Sequence, residues 1–258
     1  MNEIPNEITN FMGQIRQIRF PQQGDTSDVG IIASEQGLFV LKRTRGRQFR
    51  SWLHHEVLVL DALENTDLPV PRGHLYVEHD LQNQSWAVFD YLEGDTLRQV
   101  LSQERDCERR QETIMNFGGI LAKIHATPCP NVLRSETEWL DRTLLQAKFN
   151  LEHYLVDGDN ELLCRLMTNK PNPIAETLIH GDFTIDNVLV KDGEIVGVID
   201  WGGGAFGDPR YDVSLAIRPK PRLFKDQADV DIFFKGYGVK NITDEDFTYF
   251  AEGLYKFF

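Results

Sequence analysis

Gly13–Phe20 (GQIRQIRF) alternates apolar and polar residues and predicts a β-strand. The runs VGIIAS (29–34) and GLFVLK (37–42) predict a hairpin that turns at Glu35-Gln36-Gly37. Gln48–Leu63 places Leu53, Val57 and Leu60 on one face at helical spacing. HLYVE (74–78) and SWAVFDYL (85–92) read as two further strands, so the first third is a small antiparallel sheet with one helix. After Tyr91 the period lengthens. GDTLRQVL (94–101) opens a helix, and Glu108–His125 carries Ile114, Phe117, Ile120, Leu121 and Ile124 on a helical stripe. Glu136–Leu155 predicts another helix, and NKPNP (169–173) a loop. NVLV (187–190) and EIVGVID (194–200) are short strands joined by Lys191-Asp192-Gly193, where Asp-Gly suits a hairpin turn. The remainder reads as mostly helical to Phe258. The pattern is that of an α+β protein with two lobes, residues 1–92 and 93–258, meeting at YLEG (91–94).

The composition is that of a folded, globular chain: 41% apolar and 26% charged over 258 residues. No window has the apolar length of a spanning helix, and MNEIPNEITNFMGQ has acids where a signal peptide has a basic region. The expected compartment is the cytosol. Cys107, Cys129 and Cys164 are far apart and odd in number, which suggests neither a disulfide framework nor a zinc site. The net charge of −13 argues against nucleic acid or an anionic membrane as partner. The acid excess is larger after residue 92.

The most informative stretch is IHGDFTIDNVLV (179–190), followed by VIDWGGG (198–204). It puts Asp182 on a loop, Asn187 at the start of a hairpin and Asp200 at its far end. Two acids and an amide are thereby directed to one end of one small element. Carboxylate and amide oxygens are hard ligands suited to Mg²⁺. Phosphoryl transfer requires such a metal and a carboxylate near the attacking hydroxyl. The glycines at 202–204 do not form a dinucleotide fingerprint, because no crossover helix opens there.

His180-Gly181-Asp182, four residues, then Asn187 resembles the catalytic loop of the aminoglycoside phosphotransferase and choline kinase family, which shares its fold with protein kinases. Asp200-Trp201-Gly202 resembles the Asp-aromatic-Gly metal motif, and GDPRYDVS (207–214) the segment after it. The resemblance covers nearly the whole chain and implies a protein-kinase-like fold with ATP and Mg²⁺ as cofactors. It implies that Asp182 is the base that orients the acceptor hydroxyl, that Asn187 and Asp200 bind magnesium, and that His180 and Asp212 support the loop. It further implies that Lys42, at the end of the third strand, grips the nucleotide phosphates while paired with Glu56. The phosphate-covering loop, Gln22 to Ser27, has one glycine, and Ser27 is its candidate phosphate contact. FDYLEG (89–94) is the expected adenine hinge. Arg43, Arg45, Arg47 and Arg50 read as a solvated basic face.

The expected function is an ATP-dependent kinase for a small hydroxylated molecule. A protein kinase is disfavoured by Gly181, which stands where those enzymes carry an arginine, and by a stretch from Trp201 to Tyr211 without Ser, Thr or Ala-Pro-Glu. Turnover is therefore expected without prior phosphorylation. A dead nucleotide-binding module would have lost Lys42, Asp182, Asn187 or Asp200, and all four are present. The tail resembles that of aminoglycoside 3′-kinases, but Tyr255 and Lys256 stand where an acidic pair is expected, so only the Phe258 carboxylate matches. Related enzymes use choline, homoserine, thiamine, methylthioribose or macrolides. The acids Asp186, Asp208, Asp244, Glu245, Asp246 and Glu252 suggest a pocket in the C-terminal half for a cationic acceptor, an aminoglycoside foremost, with Asp186 and Phe258 as candidate contacts.

Overall fold

The computed structural model describes residues 4–21, 27–220, 224, 226–240 and 242–258. The chain divides into two compact units, residues 1–93 with 197–203, and residues 94–196 with 204–258. The short stretch 197–203, which includes Asp200, thus belongs with the first unit.

The first unit is built on a five-stranded antiparallel sheet in the order β1-β2-β3-β5-β4. Its strands are β1 (Ile15–Arg19), β2 (Asp28–Ser34), β3 (Leu38–Arg45), β4 (Gly73–His79) and β5 (Gln84–Asp90). Strand β3 is central, with Lys42 opposite Val29 on β2 and Ala87 on β5. Two helices accompany the sheet, where the sequence pattern led us to expect one. The additional helix is α1 (Asn6–Met12), whose Ile8 and Met12 are fully buried in a cluster with Ile32, Leu41, Trp86 and Val88. Seven residues with an apolar pair four apart present too short a pattern to separate from a loop. Helix α2 (Arg47–Leu63) buries Leu53, Glu56, Val59, Leu60 and Leu63. That stripe is apolar except at Glu56, and a carboxylate there needs a partner.

The second unit contains a three-stranded sheet in the order β6-β8-β9 and a separate pair, β7 with β10. Strand β6 (Asp95–Thr96) precedes α3 (Leu97–Gln103), so that helix starts three residues later than the sequence pattern implies. The reason is a reciprocal cap in which Thr96 and Gln99 satisfy each other's backbone N–H groups. Helices α4 (Cys107–Ala126) and α5 (Trp139–His153) follow. Then comes α6 (Asn160–Thr168), unanticipated from sequence, with Asp159 accepting a 2.8 Å bond from the Leu162 amide at its start. Strand β7 (Thr177–Ile179) leads to the loop before β8 (Val188–Lys191) and β9 (Glu194–Val198). Strand β10 (Ala205–Gly207) returns antiparallel to β7 and feeds α7 (Pro209–Ala216). Helices α8 (Gln227–Tyr237) and α9 (Asp244–Phe247) are followed by a π-helical turn at Thr248–Gly253 and a 3₁₀ turn at Leu254–Phe257. The core here gathers Trp139, Leu163, Tyr211, Phe250, Leu254 and Phe257, among others. No helix among the described residues is long and apolar enough to cross a membrane.

Candidate active site

In the first unit the site begins with a buried cation. Lys42 is 8% exposed, and its ammonium donates to Glu56 at 2.7 Å and to Asp200. Burial works against the charge, but the two carboxylates outweigh it and hold the Lys42 pKa above the ordinary lysine value. Burial raises the Glu56 pKa, and Lys42 together with a bond from the Trp201 backbone opposes that rise. The same ion pair answers the question posed by a carboxylate on the apolar stripe of α2. Trp201 is fully buried, and its indole N–H donates to the Val198 carbonyl at 2.9 Å. This anchors the residue that follows Asp200. Asp200 itself has a left-handed backbone, φ 65°, a conformation that Asp tolerates better than most residues. A non-glycine residue held in this region is common where function fixes the backbone.

In the second unit the loop between β7 and β8 carries His180, Asp182, Asp186 and Asn187. Asp212 on α7 is fully buried and accepts the backbone N–H groups of His180 at 2.6 Å and Gly181 at 2.8 Å. His125 on α4 stands 3.4 Å from the same carboxylate. The His180 ring accepts the Asp182 backbone N–H at 3.2 Å. Phe183 and Ile185 point into the core, Phe183 stacking on Phe117 at 4.8 Å between centroids. The loop is therefore held by two backbone bonds to one acid, Asp212, and by two apolar anchors, leaving Asp182 half-buried. The Asn187 amide nitrogen donates to Asp182 Oδ2 at 2.9 Å and to the Asp182 carbonyl at 2.8 Å. Both of its hydrogens are spent on Asp182, which leaves the amide oxygen as a hard donor.

The other candidates fall as follows. Ser27 is half-buried in a bend just before β2, and Gln22–Thr26 lie outside the described residues. Asp186 forms a two-pronged pair with Arg98, one bond at 2.7 Å. Phe258 is 43% exposed, and its backbone N–H donates to the Tyr255 carbonyl at 3.3 Å. The tail does reach Asp182, but through Tyr255, whose hydroxyl donates to Asp182 Oδ1 at 3.0 Å. Sequence reasoning treated Tyr255 only as a missing acid. The Arg218 guanidinium lies over the Tyr255 ring at 4.6 Å.

The acids of the C-terminal half do not converge. Asp208 and Asp246 are both spent on the buried guanidinium of Arg210, at 2.6 and 2.8 Å. Asp244, Glu245 and Glu252 are exposed. Counting acids in a sequence cannot separate internal ion pairs from a ligand-facing field, and here three of the six, Asp186, Asp208 and Asp246, are in ion pairs.

Asn187 in the second unit and Asp200 in the first each carry a side-chain oxygen of the hard kind that Mg²⁺ takes. Among the described residues no three His, Cys, Asp or Glu side chains gather into a self-sufficient metal cage.

The sequence profile of the phosphotransferase enzyme family matches residues 18–248. The chain is 28% identical over 192 residues to an aminoglycoside 3′-phosphotransferase of Enterococcus faecalis, covering 67% of each. It is 27% identical over 147 residues to one of Escherichia coli, about half (52%) of each chain. It is also 29% identical over 147 residues to a homoserine kinase of Neisseria meningitidis, covering 54% of this chain and 48% of that one. Among solved structures, the gentamicin complex of APH(2")-IIa superposes with a TM-score of 0.69 at 21% identity, over 93% of this chain and 83% of that one. A thermostable mutant of aminoglycoside phosphotransferase APH(4)-Ia gives 0.66 at 19%, over 90% and 82%. The two-lobed kinase-like fold expected from the sequence is therefore the fold observed.

Proposed function

The chain belongs to the phosphotransferase enzyme family, and on that premise we propose that it transfers the γ-phosphoryl group of ATP to a hydroxyl of a small molecule. The observation that carries the reading is Asp182, held to Asn187 by a 2.9 Å bond on a loop pinned from below by Asp212. Asp182 accepts the proton of the acceptor hydroxyl as its oxygen bonds to the γ-phosphorus. The bond from that phosphorus to the β–γ bridging oxygen breaks, and ADP leaves. Lys42, fixed by Glu56, faces the α- and β-phosphates, and Ser27 contacts the phosphates from the start of β2. Asn187 and Asp200 would hold Mg²⁺, which when bound neutralises the phosphate oxygens. The backbone of FDYLEG (89–94) takes the adenine edge. A reaction that draws on ATP belongs in the cytosol.

The acceptor in this proposal is a hydroxylated amine, and relatives named aminoglycoside 3′-phosphotransferases support that class. Asp186 and Phe258 are its proposed contacts, with Asp186 shared between the acceptor and Arg98. A second reading, an acceptor that also bears an anionic group, is favoured by the cations near the base. Arg218 lies over Tyr255, and Lys220 feels the charges of Asp186, Arg98, Arg218 and Asp182.

The test is Asp182→Asn. An ADP-release assay over a panel of hydroxylated amines, amino acids and neutral alcohols should find an acceptor for the wild type. With that acceptor the variant should turn over about 10³-fold more slowly, with Mg-ATP affinity and melting temperature retained. Near-wild-type turnover would remove Asp182 from the role of base.

A further inference from the structure

We propose that Tyr255 is a positioning residue that keeps water off Asp182, its hydroxyl holding Oδ1 of the base until an acceptor hydroxyl takes its place. The inference rests on the kinase reading, with Asp182 as the base.

The geometry points there in three steps. First, both carboxylate oxygens of Asp182 receive protein donors, Asn187 on Oδ2 at 2.9 Å and Tyr255 on Oδ1 at 3.0 Å. The Asn187 bond orients the base. The Tyr255 bond has the same form as the one an acceptor must make, a hydroxyl donating to a carboxylate oxygen.

Second, the phenol is delivered by a rigid anchor. Leu254, just before Tyr255, and Phe257, two residues after it, are fully buried. Asn150, itself fully buried, donates to the Phe257 carbonyl at 2.9 Å, and the Gly158 backbone donates to the Lys256 carbonyl at 2.9 Å. The Arg218 guanidinium covers the ring at 4.6 Å.

Third, the phenol is protonated, and so a donor, at neutral pH. Burial and then the Asp182 charge push its pKa above the ordinary tyrosine value.

The competing reaction is hydrolysis. In it a water oxygen bonds to the γ-phosphorus, the bond to the β–γ bridging oxygen breaks, ADP leaves, and the water proton passes to Asp182 and on to solvent. With Tyr255 on Oδ1, water loses a place on the base. A hydroxylated acceptor held by further contacts can displace the phenol, whereas water has no such contacts to offset that loss.

The experiment is ADP release from Mg-ATP with no acceptor present, comparing the wild type with Tyr255→Phe. Phenylalanine keeps the ring and its stack with Arg218 and removes only the hydroxyl. The expected result is an acceptor-free rate about tenfold higher, on the scale of one lost hydrogen bond. Melting temperature and Mg-ATP affinity should be unchanged. The rise should vanish in Tyr255→Phe with Asp182→Asn, because the leak runs through the base. A rate in Tyr255→Phe that is unchanged, lower or undetectable overturns the role, as does a rise that survives in the double variant. A wild type that fails to bind Mg-ATP overturns the kinase reading itself, and this inference with it, so the two failures are told apart by a binding titration.

Discussion

Asp212 shows what one side chain contributes here. It is fully buried and takes the backbone N–H groups of His180 and Gly181 while His125 stands beside it. Asp212→Ala strands one buried and one half-buried donor, a buried one worth about 1–3 kcal/mol when left unsatisfied. We expect a loss of about 3 kcal/mol in unfolding free energy by denaturant titration, with a fall in turnover larger than the fall in Mg-ATP affinity. Equal loss in both would place Asp212 in the general stability of the unit and not under the loop. The meetings of Asp182 with Asn187 and of Lys42 with Glu56 are legible in the sequence, because a hairpin or helix turns their spacing into proximity. Lys42 and Glu56, for example, sit 14 residues apart and meet at 2.7 Å. Tyr255 and Arg98 are not legible in this way. Tyr255 stands in FTYFAEGLYKFF, where any aromatic reads as core, and its partner is 73 residues away. Arg98 meets Asp186 across 88 residues. No local period carries such pairs; the packing of the tail and of α3 creates them.

Elements with a long period were legible and short ones were not. Helices α2, α4 and α5 carry 15 to 20 residues and show an apolar face. Helices α1 and α6, of 7 and 9 residues, rest on two buried side chains each. Strands β7 and β10 have three residues apiece and owe their pairing to chain return, which leaves no pattern. The packing of α4 on α8 adds a device that sequence shows only as scattered glycines. A Cβ at Gly118 would stand 2.0 Å from the Phe233 carbonyl oxygen, and one at Gly236 would stand 1.8 Å from that of Met115. The helix axes are therefore set by two bare backbones, with Arg110 clamped on Asp229 at 2.5 and 2.8 Å. Gly118→Ala or Gly236→Ala must push the helices apart, at a cost of about 3 kcal/mol. The neighbour supplies the control, since a Cβ at Gly119 comes no closer than 3.9 Å to any such atom. Gly119→Ala should be neutral or should stabilise by up to about 1 kcal/mol through helix propensity. Thermal unfolding of the three variants decides it, and equal melting temperatures would remove the close approach from the account.

At the scale of the whole molecule the question is what a net charge of −13 does for a small acceptor. The sequence invited the idea that the later acids line the pocket. The structure disperses them: Arg210 takes Asp208 and Asp246, Arg98 takes Asp186, and Asp244, Glu245 and Glu252 face solvent. Near Asp182 the described neighbours include two cations, Arg218 and Lys220. Global and local fields therefore favour opposite acceptors, and they differ in range. The distributed charge acts over many ångströms and is screened within a Debye length of about 10 Å at 0.1 M salt, while cations close to the base act through partly buried paths that salt weakens much less. Kinetics at varied ionic strength can separate the two. With Mg-ATP saturating and an amine-bearing acceptor as the variable substrate, raising monovalent salt from about 50 to about 500 mM should lower kcat/KM by roughly three- to tenfold. The kcat should change little, because the bound acceptor no longer depends on long-range attraction. An acceptor with a carboxylate in place of the amine should show the opposite sign in kcat/KM, since screening relieves its repulsion from the acidic surface. If kcat/KM for the amine-bearing acceptor is flat or rises with salt, the acidic surface does not gather the acceptor. Recognition then rests on the groups around Asp182, where Arg218→Ala should shift the preference between the amine and the carboxylate by at least about tenfold, the effect of one charge-assisted contact.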